Sequence, residues 1–279
     1  MPADGPAHLP PEDAPRSVLA VFPLAGLLAV VSSIGILSTS VYARETANWR
    51  GQAIAQDWVD LLLTVPWLTS AAVLASRGSR RGSLLLAAGL LYTFYEFVIY
   101  GFALHFNALF LPYCAILGVC FFALIGLGIR YVQEDVGRWY PPATPVRFAG
   151  VTLLAVGLLF AFAWLAEILP ALVSGELPAS VAEAGTVTNP VYLIDLSIVL
   201  PAHLLAGRSL LRRRTLGLVL APILLGFDVL MALSLAAMMG IMAERGLPSS
   251  LAAAAGMLGL AVISGLSLWL LLRGVRSAL

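Results

Sequence analysis

The sequence predicts an all-α, polytopic membrane protein with eight transmembrane helices, and three observations carry that reading. Of 279 residues, 60% are hydrophobic and 11% charged, against about 25% charged in a typical soluble domain. The apolar residues fall into eight long stretches, and the basic residues fall between alternate stretches. Mean hydropathy is +0.94. Such a chain cannot clothe a large soluble core with charge, and its apolar content excludes disorder. A net charge of +1 gives no electrostatic case for nucleic acid or acidic partners. The expected partner is the lipid bilayer.

Residues 1–15 hold five prolines, three acids and no apolar run, which reads as a disordered cytoplasmic tail. The apolar run that follows is too long for a signal peptide, and no small-residue cleavage site follows it. The spans are expected at about 17–42, 53–76, 82–104, 108–131, 147–173, 190–211, 215–243 and 249–272, each meeting the ~20 residues a bilayer crossing needs. With eight spans and both termini cytoplasmic, 13 of the 16 basic residues lie inside, and Arg44, Arg50 and Arg245 lie outside. This is the positive-inside split, and a seven- or nine-span count spoils it. Trp49, Trp58, Trp139, Tyr140, Trp164 and Trp269 fall near expected span ends, as an aromatic belt does. All the basic residues are Arg, and Ala, Leu and Gly are abundant, a composition that points to a high-GC bacterium and to its inner membrane.

A chain without lysine cannot hold retinal as a Schiff base, and the sequence assigns no cofactor. Cys114 and Cys120, six residues apart on one helix, face different directions and read as small buried hydrophobes. His8, His105 and His203 share no metal-ligand spacing.

The chain divides into halves, 16–146 and 147–279, of four spans each. A shift of 135 residues aligns Asp60 with Asp195, Pro66 with Pro201, Arg77 with Arg212 and Gly82 with Gly217. The halves then form a parallel repeat about an axis along the membrane normal, or the match is a coincidence between amphipathic helices of similar length.

Charged groups within spans are costly and are functional suspects by default. At ~1.5 Å per residue, Asp60 lies about 10 Å and Asp195 about 8 Å below the outer ends of their helices. Glu96 and Asp228 lie about 20 Å from their inner ends, hence about 10 Å below the outer face of a ~30 Å core. Four acids on four helices therefore share one layer with no Arg at that depth. They can be protonated, hold a cation, or face a water-filled cavity; the plainer reading has each bonded to a neighbouring tyrosine. Asp57 and Glu167 read as a solvated rim. Tyr92, Glu96 and Tyr100 form one helical stripe, as do Gln56, Asp60 and Thr64, and His105 and Asn107 fall in the turn above. Pro66, Pro201 and Pro222 kink spans and free carbonyls. His203 reads as a satisfied core histidine more readily than as a proton relay. The arginines at 76–83 and 212–214 lack a phosphate-loop pattern and read as anchors on anionic headgroups.

Arg77-Gly78-Ser79 with Arg81-Gly82, then Tyr92, Tyr95, Tyr100 and Phe106-Asn107-Ala108-Leu109-Phe110-Leu111, resemble a pattern in a group of uncharacterised bacterial eight-helix membrane proteins. Asn189-Pro190-Val191-Tyr192 with Asp195-Leu196 and Pro201 resemble a second signature of that group. The resemblance covers about half the chain and implies the fold and no catalytic role.

The expectation is an outward-facing acidic cavity serving a proton- or cation-coupled transporter of a small solute. Its binding residues are Asp60, Glu96, Asp195, Asp228, Tyr92, Tyr100, His105 and Asn107. The rivals are an intramembrane enzyme acting on a lipid or isoprenoid, assisted by Mg²⁺ or Mn²⁺, and an assembly or sensory subunit without chemistry of its own.

Overall fold

Long apolar segments with internal acids can hide their polar groups only by turning them toward one another, and the helices arrange themselves accordingly. In the computed structural model, which describes residues 18–276, the helices are α1 (Val21–Leu37), α2 (Ala47–Ser76), α3 (Arg80–Ala103), α4 (Phe110–Gln133), α5 (Val146–Ser174), α6 (Ala179–Ala184), α7 (Pro190–Leu211), α8 (Thr215–Glu244) and α9 (Leu251–Gly274). The chain is 82% helix, with no strand among the described residues. The tail at 1–15, with His8, lies outside those residues.

Seven helices, α2 to α5 and α7 to α9, are long and apolar enough to cross a membrane. The first apolar stretch is shorter than the expected 17–42, because α1 has 17 residues. It stops where Ser38 turns extended and the Ser38 hydroxyl takes the amide of Ser40, a local bond that competes with the helix ladder. The next helix starts earlier than 53, at Ala47, because Thr46 caps it by accepting the amide of Trp49 at 3.2 Å.

The centre of the bundle is the pair α3 and α8. They approach so closely that a Cβ on Gly226 would meet that of Ala88 at 2.6 Å, the small-residue contact that membrane helices favour. On α3 pack α2 and α4, and on α8 pack α5, α7 and α9; α1 packs on α2 and α4 as α5 packs on α7 and α9. The outside is apolar, with Phe122 71% and Val173 89% exposed, while Asp57, Asp60 and Thr93 inside are wholly buried. That inversion suits hydrocarbon as the solvent.

Both α2 and α7 widen for one turn of π-helix, at Asp60–Thr64 and Asp195–Val199. Val65 and Leu200 then donate to the carbonyls of Asp60 and Asp195, five residues back. Pro66 and Pro201 follow directly. A proline ring clashes with the carbonyl four residues earlier, and the wider turn moves that carbonyl aside. The two helices also end alike. Arg77 donates to Val73 O and Arg212 to Arg208 O, both at 3.3 Å, and Ser79 to Leu74 O at 3.1 Å and Arg214 to Ser209 O at 3.0 Å. Gly78 (φ 77°) and Arg213 (φ 50°) occupy the left-handed position between them. A Cβ on Gly82 would sit 2.7 Å from Ala75 N, and one on Gly217 2.1 Å from Leu210 N.

Each end of the bundle is tied separately. At one, Trp49 Nε1 donates to Ala103 O at 3.2 Å and Thr46 Oγ1 donates toward the last carbonyls of α6, Glu183 O at 3.1 Å and Ala184 O at 3.2 Å. At the other, Arg81 donates to Val275 O at 2.9 Å, Arg213 to Thr144 O at 2.7 Å, and Arg80 lies over the Trp139 ring. These arginines therefore close the ends of neighbouring segments, a role the headgroup-anchor expectation missed. Among the described residues, Arg44, Arg50 and Arg245 stand at the α6 end and twelve arginines at or near the opposite end.

Candidate functional site

Residues from both halves line a cavity of about 340 Å³ beside the α3/α8 pair. It runs from Asn48 and Gln52 on α2 and Glu183 on α6 down to His203 and Asp228, and α6 with its flanking loop covers that end. The cover is pinned: Glu167 accepts the amide of Ser180 at 3.0 Å, and the Ser180 and Tyr192 hydroxyls meet at 2.7 Å.

The acids reach this region in three groups. The first lies on the α2/α3 side. Asp57, expected at a solvated rim, is fully buried. Its Oδ2 accepts from the Tyr42 hydroxyl at 2.8 Å and its Oδ1 from Tyr100 at 3.3 Å. Burial, with Asp57 alongside, pushes the Tyr42 hydroxyl well above its ordinary pKa, so it stays a donor. Asp60 accepts from Gln56 and Ser32, each at 3.3 Å, and stands behind the cavity wall. Gln56 also donates to the Tyr92 hydroxyl at 2.8 Å and accepts from Ser234 at 2.7 Å. That one amide joins α2, α3 and α8, and leaves the Tyr92 hydroxyl its own proton to donate.

Glu96 is different. It lines the cavity and stands against the Asp60 carboxyl and the Gln56 amide; beyond that contact no donor comes within hydrogen-bond distance of either of its oxygens, although the residue is only 4% exposed.

The third group is on the α7/α8 side. Asp195 accepts from Trp164 Nε1 at 2.8 Å, with Tyr95 beside it. His203 Nδ1 lies 2.7 Å from Val199 O and its Nε2 2.8 Å from Asp228 Oδ1. A carbonyl only accepts, so Nδ1 carries a hydrogen. The bond from Nε2 to Asp228 then holds one further proton, shared between imidazole and carboxyl, and the pair is neutral as a unit. His203 is satisfied at both nitrogens, as expected, and it also lines the cavity. The other Asp228 oxygen, Oδ2, is buried without a partner.

Of the residues expected to bind, Glu96, Asp195, Asp228, Tyr92 and Tyr100 line this cavity. Asp60 is one layer behind. His105 and Asn107 are not brought to it: His105 pairs with Glu45, at 2.8 Å through its amide and 3.1 Å through Nδ1, and Asn107 accepts from Leu109 N at 2.9 Å. Sequence reasoning missed Tyr95, Ser234 and the indole of Trp164, whose partner Asp195 is 31 residues away; spacing along one helix cannot reveal a pair on two. Apolar side chains, among them Ile99, Phe160, Phe227, Met231, Met238 and Met257, make up much of the rest of the wall, with Glu167, Ser180, Thr186 and Asn189 on the α6 side. Among the described residues, no group of three or more His, Cys, Asp and Glu is arranged to hold a metal ion.

Comparison with protein-family models, with curated proteins and with solved structures finds no match to this chain.

Proposed function

We propose that the protein is a bacterial inner-membrane transporter that couples a small solute to a proton or another cation through an outward-facing acidic cavity. One observation carries this reading. Three buried carboxyl oxygens in the wall of one cavity, both of Glu96 and one of Asp228, have no donor within hydrogen-bond distance, and the neighbour of Glu96 is another carboxyl, that of Asp60. Buried acceptors left unpaired are costly, so they favour an occupant that brings donors or positive charge. The hydrogen bond between His203 and Asp228 puts a shared proton in the same wall.

Topology follows the same line. Eight spans, α1 being the first, with both termini cytoplasmic, place the arginine-poor α6 end outside under the positive-inside rule. The paired π-turns, prolines, left-handed caps and close glycines at a 135-residue offset support two parallel four-helix repeats. The metal-assisted enzyme has less support, since the acids form no ligand group among the described residues. A subunit without chemistry gives no account of the unpaired carboxyls.

The test is reconstitution into liposomes with a pH-sensitive dye inside and a potential-sensitive dye in the membrane. Small amines, alcohols and amino acids are offered one at a time. At least one is expected to move the internal pH or the potential in the parent and not in protein-free liposomes. Silence of both dyes across the panel overturns the proposal.

A further inference from the structure

We infer that the occupant of the cavity is an organic ammonium ion with an apolar body and no acidic group. This rests on the cavity being a solute site and names its ligand class. The wall makes three demands at once. The oxygens of Glu96 and Asp228 without a donor call for N–H groups, and a wall that carries Glu96, Asp195 and Glu167 with no arginine favours positive charge. The apolar side chains from α3, α5, α8 and α9 call for hydrocarbon, because a small hydrated ion would leave them in water. The Phe227 and Tyr95 rings, at 5.4 Å and edge to face, and the Trp164 indole stand on the same wall, where aromatic faces attract a cation. The methionines there adapt to the shape of an apolar group.

The fourth feature decides between amines and amino acids. No arginine lines the cavity, the chain has no lysine, and the one imidazole is engaged at both nitrogens. A zwitterion's carboxylate would be buried facing Glu96, Asp195 and Asp228 with nothing to neutralise it. The site accepts the ammonium and rejects the same body carrying a carboxylate.

The experiment measures binding by calorimetry to the full-length protein in detergent. The probes are 2-phenylethylamine, 2-phenylethanol, 3-phenylpropionate and phenylalanine, which share a ring and differ in charge. The amine is expected to bind at least about tenfold more tightly than the alcohol, with the two carboxylates silent, since a charge-assisted bond to a buried acid is worth about that factor or more. Glu96→Gln is expected to weaken amine binding about tenfold and leave the alcohol unchanged, with Asp228→Asn acting in the same direction. Equal binding of amine and alcohol, binding of phenylalanine as tight as the amine, no binding of the amine, or undiminished amine binding by a folded Glu96→Gln protein each overturns the inference. Should Glu96→Gln fail to fold, the parent's ranking of the four probes decides. Amine binding without any dye response in liposomes sinks the transport reading and spares the ligand class; coupled transport of a solute that is not an amine does the reverse.

Discussion

Gly35 governs how deeply Asp57 can sit between α1 and α2. A Cβ there would fall 2.0 Å from Asp57 Oδ2 and 2.7 Å from the Tyr42 hydroxyl, so nothing larger than hydrogen fits without moving that bond. Gly35→Ala is expected to destabilise the protein by about 1–3 kcal/mol, the usual cost of overpacking, read as a lower midpoint of thermal unfolding in detergent. An unchanged midpoint would mean that Asp57 is free to move. The same contact shows why depth counted from a helix end misjudged Asp57: its burial comes from α1 lying across it, and α1 is a separate helix whose placement no spacing within α2 reveals. The stripe Tyr92, Glu96, Tyr100 was legible because four-residue spacing on one helix is local geometry. His105 and Asn107 were adjacent to that stripe in sequence and left it in space, since Glu45 offered His105 a nearer partner.

At the scale of the element, the π-turns turn the acids. Each begins at an aspartate and precedes a proline, and an extra residue in the turn rotates everything before it by about 100° relative to a regular helix. Pro201→Ala restores an N–H and lets the turn tighten, which moves Asp195 away from Trp164. In a double-mutant cycle, Trp164→Phe is expected to cost about 1 kcal/mol or more in the parent, the worth of a hydrogen bond to a carboxylate, and close to nothing beside Pro201→Ala. Equal costs in both backgrounds would show that the π-turn does not position Asp195. The α2 cap gives an independent check. Gly78 has φ 77° with open space around it, so Gly78→Ala pays only backbone strain and is expected to lose about 1–2 kcal/mol of stability. A loss near zero would show that this cap relaxes freely.

At the scale of the whole molecule, orientation is the property most open to direct measurement. In a background with Cys114 and Cys120 replaced, Arg50→Cys is expected to react with a membrane-impermeant maleimide in intact cells, and Arg212→Cys only after lysis. The opposite pattern inverts the cavity to face the cytoplasm, and labelling of both in intact cells breaks the expected topology. Each site lies in a terminal turn or a connection between helices, where substitution leaves the packed interior alone.

The sequence by itself determined the solvent and the elements. Composition excludes water around the outer surface, and segment length in a bilayer leaves the backbone no alternative to helix. It also displayed the acids within the spans and the prolines that interrupt them, because both are properties of a single segment. Tertiary structure alone decided which acids find partners. Asp57 and Asp195 take donors from other helices, through Tyr100 and Trp164, Asp228 pairs with His203, and Glu96 is set against the carboxyl of Asp60. Pairing between helices depends on their mutual rotation and depth. Those are set by close contacts such as Gly226 against Ala88 and Gly35 against Asp57, which no period within one segment encodes.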